Sequence, residues 1–299
     1  MNSLFVNQLT TIDFAYLCPK RGLVGETWLV DVVLSGELND EGMVFDFGHV
    51  KKEIKSMIDN YADHTLLVPT KNQAITLTEN NGTSHTERTA KLIMPSGEEI
   101  ICTAPAQAIL PLPVDAITPE QVKPLLEAFI FDQLPENVAV IELTLYPETI
   151  KGAWFHYTHG LKKHHGNCQR IAHGHRSPLE IFINDQRRED LEYEQVAIWH
   201  DIYLAKQEDL IEQYQHNGHT HNFFAYTANQ GDFSLALPAA RCYMVETDTT
   251  IELLADHLAQ VLADRKLGQT VKVIANEGFC KGAVAGRKLT VQKPLTQEP

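Results

Sequence analysis

Residues 155–175 read FHYTHGLKKHHGNCQRIAHGH, and three of their histidines fall in a pattern that a metal ion can use. His173 and His175 flank Gly174. In an extended segment, positions i and i+2 point to one face, so both imidazoles can turn towards one ion. His159, on a preceding strand paired beside them, could supply a third nitrogen. Three protein nitrogens with a fourth position left open is the donor set of a catalytic zinc rather than a structural one. Cys168 lies between the ligand groups, within reach of whatever the metal holds. Chance enrichment competes with this reading, because 11 of the 14 histidines follow residue 150. An isolated His-x-His is often a packing or surface feature, and His156, His164 and His165 read as exposed or loop residues. The whole constellation, with Cys168 inside it, favours the metal.

The chain of 299 residues, 43% of them apolar, is long enough for one large domain or two medium ones with a packed core. It has no apolar run of membrane-spanning length, and MNSLFVNQLTTIDF at residues 1–14 does not read as a secretion signal. Cysteines 18, 102, 168, 242 and 280 are odd in number and scattered, which argues against a disulfide framework and for a reducing compartment. The formal charge of −14 makes nucleic acid an unsuitable partner. A cytoplasmic location is therefore expected.

The series Phe155, His159, Leu161, Cys168, His173, Gly174, His175 resembles the pattern of the 6-pyruvoyl-tetrahydropterin synthase family, which includes the bacterial 6-carboxy-tetrahydropterin synthases. The family pattern is Phe-x-x-x-His-x-Leu, then a Cys shortly before His-Gly-His. By that resemblance His159, His173 and His175 are zinc (Zn2+) ligands and Cys168 is the catalytic base.

The first half carries a version of the same pattern without the metal ligands. Cys18 follows Phe14 as His159 follows Phe155, and Val24-Gly25-Glu26 stands where His173-Gly174-His175 stands. Cys18 and Glu26 could bind a metal with other partners, but no third ligand is in view, and a dead metal site is preferred. A strand-like run follows each, TWLVDVVLSG at 27–36 and SPLEIFIND at 177–185. Gly42 to Phe47 matches the family's GMVxDF segment, with Ile198 to Ile202 as its weaker echo. Helical spacing follows in Val50, Ile54, Ile58 and Tyr61, and Leu204, Leu210, Ile211 and Tyr214 offer a counterpart. Asp63-His64-Thr65-Leu66-Leu67 matches the family's Asp-His-x-x-Leu dyad; its echo, Thr220-His221-Asn222, has lost the Asp.

Residues 71–100 read as a hairpin-like insertion. Capping boxes at Thr118–Gln121 and Thr249–Glu252 start a second helix in each half, although Pro124 should kink or delay the first. Closing strands run from Val138 to Leu145 and from Val271 to Ala275, each followed by a Glu, Glu148 and Glu277.

Strands and helices thus repeat in order with a break near residue 152, an internal duplication. The expected architecture is α+β: two tandem tunnelling-fold (T-fold) units, antiparallel four-stranded sheets each with two helices, assembling into a barrel. Residues 1–152 form the unit without zinc ligands, 153–290 the unit with the zinc site, and 291–299 a polar tail. Because such units close their sheets by association, which removes exposed edges, a homo-oligomer is expected.

The resemblance implies a lyase acting on 7,8-dihydroneopterin triphosphate to give a 6-carboxy- or 6-pyruvoyl-tetrahydropterin, the former on the route to queuosine-type bases. Glu277 would anchor the pterin ring, as Glu148 does in name only. Asp63 and His64 would complete the site around the three histidines, within or between chains; alternatively His221 serves alone. Lys162, Lys163, Arg170 and Arg176 surround the ligand stretch and suit either a triphosphate or an ordinary solvated loop. A non-catalytic pterin- or zinc-binding protein is the reading of another class.

Overall fold

The computed structural model describes residues 1–81 and 86–288. The tail 291–299, and the part of the 71–100 insertion at residues 82–85, lie outside the described residues. In chain order the strands are β1 (Asn2–Cys18), β2 (Gly22–Gly36), β3 (Leu66–Pro69), β4 (Ile75–Asn81), β5 (Thr86–Ile93), β6 (Glu99–Pro105), β7 (Ile109–Leu112), β8 (Val138–Pro147) and β9 (Trp154–His159). There follow β10 (His173–Ile183), β11 (Gln186–Arg187), β12 (Ile202–Lys206), β13 (Leu210–His216), β14 (His219–Ala228), β15 (Gly231–Pro238), β16 (Cys242–Val245), β17 (Thr270–Asn276) and β18 (Gly282–Lys288). The helices are α1 (Phe47–His49), α2 (Lys55–Tyr61), α3 (Pro119–Phe131), α4 (Glu189–Ile198) and α5 (Ile251–Asp264), with a π-type segment, Val50–Ile54, joining the first two.

Three sheets result. The first has the order β7-β3-β1-β2-β8 and the second β16-β12-β9-β10-β17-β18, with β11 against β10. Long antiparallel ladders form each centre, and short parallel strands flank it. In the first sheet, alternation along TWLVDVVLSG turns Val30, Val32 and Leu34 to one face, where Ile54, Ile58, Val122 and Leu126 of the helices cover them. In the second, Leu179, Ile181 and Ile183 meet Leu254, Leu258 and Leu262 of α5. Each such side chain, fully buried, contributes about 1.5–3 kcal/mol relative to exposure. The second half has four long antiparallel strands, β9-β10-β17-β18. The first half has three, β1-β2-β8, because the chain passes from β8 directly into β9. The expected final strand of the first unit is absent among the described residues.

The third sheet was only half legible. The expected insertion hairpin at 71–100 supplies β4, β5 and β6, but β6 then pairs with β15 of the second half, giving the order β13-β14-β15-β6-β5-β4. This corrects the helix read from Leu204, Leu210, Ile211 and Tyr214. Those residues lie in β12 and β13, and the second-half helix α4 comes earlier, at Glu189–Ile198. The four apolar positions served two strands with a turn between them, so their apparent helical spacing was accidental. Asp201 also proves no echo of Asp46. It follows α4 with φ 52°, as His64 (φ 54°) follows α2, and each precedes a parallel strand.

Two smaller expectations need correction. Helix α3 begins at Pro119 despite Pro124, with Thr118 capping Gln121 N–H; Pro124 lies close enough to the start to remove only one early hydrogen bond. The cap of α5 is Thr250, not Thr249. Among the described residues no helix is long and apolar enough to cross a membrane.

The two halves cross where Gly25 of β2 meets Gly174 of β10. A Cβ on Gly174 would lie 2.6 Å from the Gly25 Cα, and one on Gly25 would lie 2.7 Å from the His175 nitrogen and closer still to the Tyr157 carbonyl oxygen. The middle residue of Val24-Gly25-Glu26 and that of His173-Gly174-His175 must both be glycine for the backbones to approach this closely.

Candidate functional site

Antiparallel pairing of β9 with β10 sets His173 opposite His159 and His175 opposite Tyr157. All three histidines are buried. Their ring centroids are 4.4 Å (His159–His173), 5.3 Å (His159–His175) and 5.6 Å (His173–His175) apart. One ring nitrogen from each lies within 4.8 Å of the others. His159 Nδ1 donates to the Thr249 carbonyl at 3.0 Å, and His173 Nδ1 donates to the Arg170 carbonyl at 2.9 Å. Those bonds put the protons on Nδ1 and leave Nε2 as a lone pair.

The Nε2 atoms of His159, His173 and His175 are buried and have no hydrogen-bond partner. Orphaned buried nitrogens are costly singly, and three so close together are a donor set that a metal ion can use. Burial holds the imidazoles of His159 and His173 well below their ordinary pKa, and the neighbouring histidines add to it, so these two rings stay neutral. The residues present fit a tetrahedral metal with one open position.

The first half delivers the rest. His64 takes a left-handed backbone conformation (φ 54°) and its N–H donates to the Asp13 carbonyl at 2.6 Å. Asp63 Oδ1 accepts from the Asp13 N–H at 2.8 Å, and Asp63 Oδ2 bonds His64 Nδ1 at 2.5 Å. Burial would lower the pKa of His64, but hydrogen bonds to Asp63 and Cys168, with their charges, overcome it and raise it to about 10. Ligand atoms of His64, Cys168 and His173 lie within 4.8 Å of one another. Asp63, His64, Cys168 and the three histidines are thus gathered in a single chain.

Glu277, at the end of β17, places Oε1 3.7 Å from His175 Nε2 and 4.0 Å from His159 Nε2. A cleft of about 330 Å³ opens on the Asp63–His64 side, lined among others by Asp13, Asp63, His64, Phe279 and Lys281. His221 is not brought there. It is buried in β14 of the third sheet, its Nε2 3.2 Å from the Glu99 carbonyl oxygen and its ring stacked on Tyr214. The expectation that His221 alone could complete the site rested on a helix that is not formed.

The basic residues of the ligand stretch have local partners. Lys162 pairs with Asp209, Lys163 with Asp248, and Arg176 bonds the Glu148 carbonyl and lies over Trp154. In the first half, Glu26 is buried and pushed up to about 7, chiefly by that burial. His156, buried rather than exposed as expected, donates to the Gly25 carbonyl at 2.6 Å. Arg21 grips Asp201 with two hydrogen bonds. Among the described residues, the groups able to hold a metal include neither Cys18 nor Glu26.

Sequence reasoning missed Asp13. This buried residue immediately precedes Phe14 in β1, and its carboxylate lies 3.2 Å from His175 Nδ1, accepts from Thr27 Oγ1 at 2.6 Å and pairs with Lys281 at 2.8 Å. An acidic residue inside an apolar strand run was the available signal.

Two curated relatives, from Pyrococcus horikoshii and Pyrococcus abyssi, both carry the provisional name 6-carboxy-5,6,7,8-tetrahydropterin synthase. The first is 37% identical over 57 residues, 19% of this chain and 33% of that protein; the second is 26% identical over 138 residues, 46% and 76% respectively. The chain therefore spans only a third of the first relative's length. A solved 6-pyruvoyl tetrahydropterin synthase from Plasmodium vivax aligns with a TM-score of 0.40 at 17% identity, covering 50% of this chain and 93% of that one. The family model described as 6-pyruvoyl tetrahydropterin synthase matches residues 18–109 and 148–277. With both halves of the chain matched, the protein belongs to the 6-pyruvoyl tetrahydropterin synthase family.

Proposed function

We propose that this chain is a zinc-dependent synthase of the 6-carboxy-5,6,7,8-tetrahydropterin type, a lyase acting on 7,8-dihydroneopterin triphosphate with one composite site per chain. The observation that carries the reading is the convergence of three unpartnered histidine Nε2 atoms beside Cys168 and His64. The names of the two Pyrococcus relatives favour the carboxy product over the pyruvoyl one.

His159, His173 and His175 would hold the zinc, which when bound supplies Lewis-acid polarisation of substrate oxygens. Cys168 accepts the proton from the substrate carbon. The neighbouring His64, held protonated against Asp63, can return a proton to the product. Glu277 offers two acceptor oxygens at the edge of the metal group, matching the amino-pyrimidinone donors of a pterin ring. Asp13 and Thr249 keep the ligand rings oriented.

On this reading residues 1–152 and 153–290 are tandem T-fold units, the first having lost its metal ligands to the Arg21–Asp201 pair and the buried Glu26. The outer strands β8 and β18, with exposed Val140 and Val284, would close a barrel by pairing with further copies. A homo-oligomer in the cytoplasm suits the five free cysteines.

The test is turnover of 7,8-dihydroneopterin triphosphate by zinc-loaded protein, with products separated by mass. Cys168→Ala should keep its zinc and lose turnover. A variant that loses Cys168 without losing rate would overturn the assignment.

A further inference from the structure

The third sheet belongs to neither unit's barrel strands, yet one of its turns reaches the loop that carries Cys168. Strands β14 and β15 are joined by the two-residue turn Asn229-Gln230, with Ala228 opposite Gly231. Gln230 makes three hydrogen bonds to the residues flanking Cys168. Its N–H donates to Gln169 Oε1 at 2.7 Å, its Nε2 donates to Asn167 Oδ1 at 2.8 Å, and its Oε1 accepts from Arg170 Nε at 3.0 Å. The buried Tyr226 hydroxyl adds a bond to the Gln169 carbonyl at 2.8 Å. Arg170 in turn donates to the His64 carbonyl at 3.3 Å. The Cys168 carbonyl accepts from the Leu161 N–H at 2.8 Å.

We propose that Gln230 is a positioning residue that fixes Cys168 against His64 and His173, so that a sheet built jointly by the two halves sets the geometry of the reacting pair. This deepens the function proposed above and rests on it for the role of Cys168. Residues 160–172 form a loop without a ladder of their own apart from the Asn167–Gln169 turn, and a loop places a side chain well only when its neighbours are tied to something rigid. The turn between two paired strands is such a support. It touches Asn167, Gln169 and Arg170, the residues on either side of the thiol, and Arg170 extends the tie to the backbone of the dyad. A loss of about an ångström of registration between base and substrate costs up to about a hundredfold in rate.

The experiment compares wild type, Gln230→Ala and Tyr226→Phe by three readouts. These are kcat and KM on 7,8-dihydroneopterin triphosphate, zinc content, and the iodoacetamide alkylation rate at Cys168, located by peptide mass. Expected for Gln230→Ala are a kcat lower by about ten- to a hundredfold, an unchanged KM and unchanged zinc. Its alkylation rate at Cys168 should differ by about threefold or more from wild type. Tyr226→Phe keeps the side-chain volume and loses one hydroxyl, so it should fold normally and move both rates in the same directions by less. If wild type turns over no pterin, the proposed function fails on its own, and a changed alkylation rate still supports the positioning role. Wild-type alkylation rates in both variants would overturn the proposal.

Discussion

His64, from the first half of the chain, stands with its ring centroid 5.1 Å from that of His173, a metal-ligand candidate from the second half. The two halves contribute different parts of the site: the acid–histidine pair comes from the first, the histidine triad and thiol from the second. Asp63→Asn breaks the hydrogen bond that holds His64 while leaving the triad untouched. Turnover should fall about a hundredfold or more with zinc content unchanged, since positioned acid–base groups contribute on that scale. Steady-state rates beside metal analysis decide it, and wild-type turnover in Asp63→Asn would separate the dyad from the site.

Gly25 packs against the Tyr157 carbonyl and the His175 nitrogen with no room for a methyl group. Backbone cannot rotate away as a side chain can, so Gly25→Ala should destabilise the fold by about 3 kcal/mol. Urea denaturation measures the loss. A change below about 1 kcal/mol would mean that the crossing of the two halves is looser than the structure has it.

Asp13 joins three parts of the site: its carboxylate faces His175 Nδ1 and Lys281, its N–H holds Asp63 and its carbonyl holds His64. Burial would raise its pKa, yet the His175 and Lys281 charges and hydrogen bonds outweigh this and keep the carboxyl well below the usual carboxylate range. Asp13→Asn keeps the shape and removes the charge behind the ligand. Zinc affinity should weaken about tenfold, read by competition with a chromophoric chelator. Unchanged affinity would leave Asp13 with a role in the fold alone.

How much of this was legible beforehand differs from residue to residue. His159, His173, His175 and Cys168 announced themselves through local spacing, because one β-hairpin and its connecting loop hold all four. Asp63 and His64 were visible as a motif, but their meeting with His173 depends on the Gly25–Gly174 crossing, a long-range contact that no local pattern encodes. His221 misled for the converse reason. Its surroundings were read as an echo of the first half, whereas β13 and β14 form a hairpin that joins β15 and β6 in a shared sheet. Asp13 and Gln230 carried no motif at all, since a carboxylate or amide acquires such a role only from what the fold sets beside it.

The buried Glu26 gives the fold a pH dependence. Burial raises its pKa from 4.5 to about 7. Below pH 4.5 folded and unfolded chains both hold the proton. As pH rises towards 7 the unfolded chain releases it first, so Glu26 withdraws stability over that window, on the order of 3 kcal/mol when complete. Glu26→Gln should therefore gain stability relative to wild type between pH 5 and pH 8, as read from urea midpoints at both. A difference between the two proteins that does not change with pH would contradict the buried, protonated carboxyl.

The central claim is a single metal centre per chain, built by the second half alone and completed by the first. Zinc bound per chain, measured by mass spectrometry of the metal after exhaustive dialysis, tests it most directly in wild type, His173→Ala and Glu26→Gln. About one zinc is expected in wild type and in Glu26→Gln and essentially none in His173→Ala. Zinc retained by His173→Ala, or lost from Glu26→Gln, would contradict it.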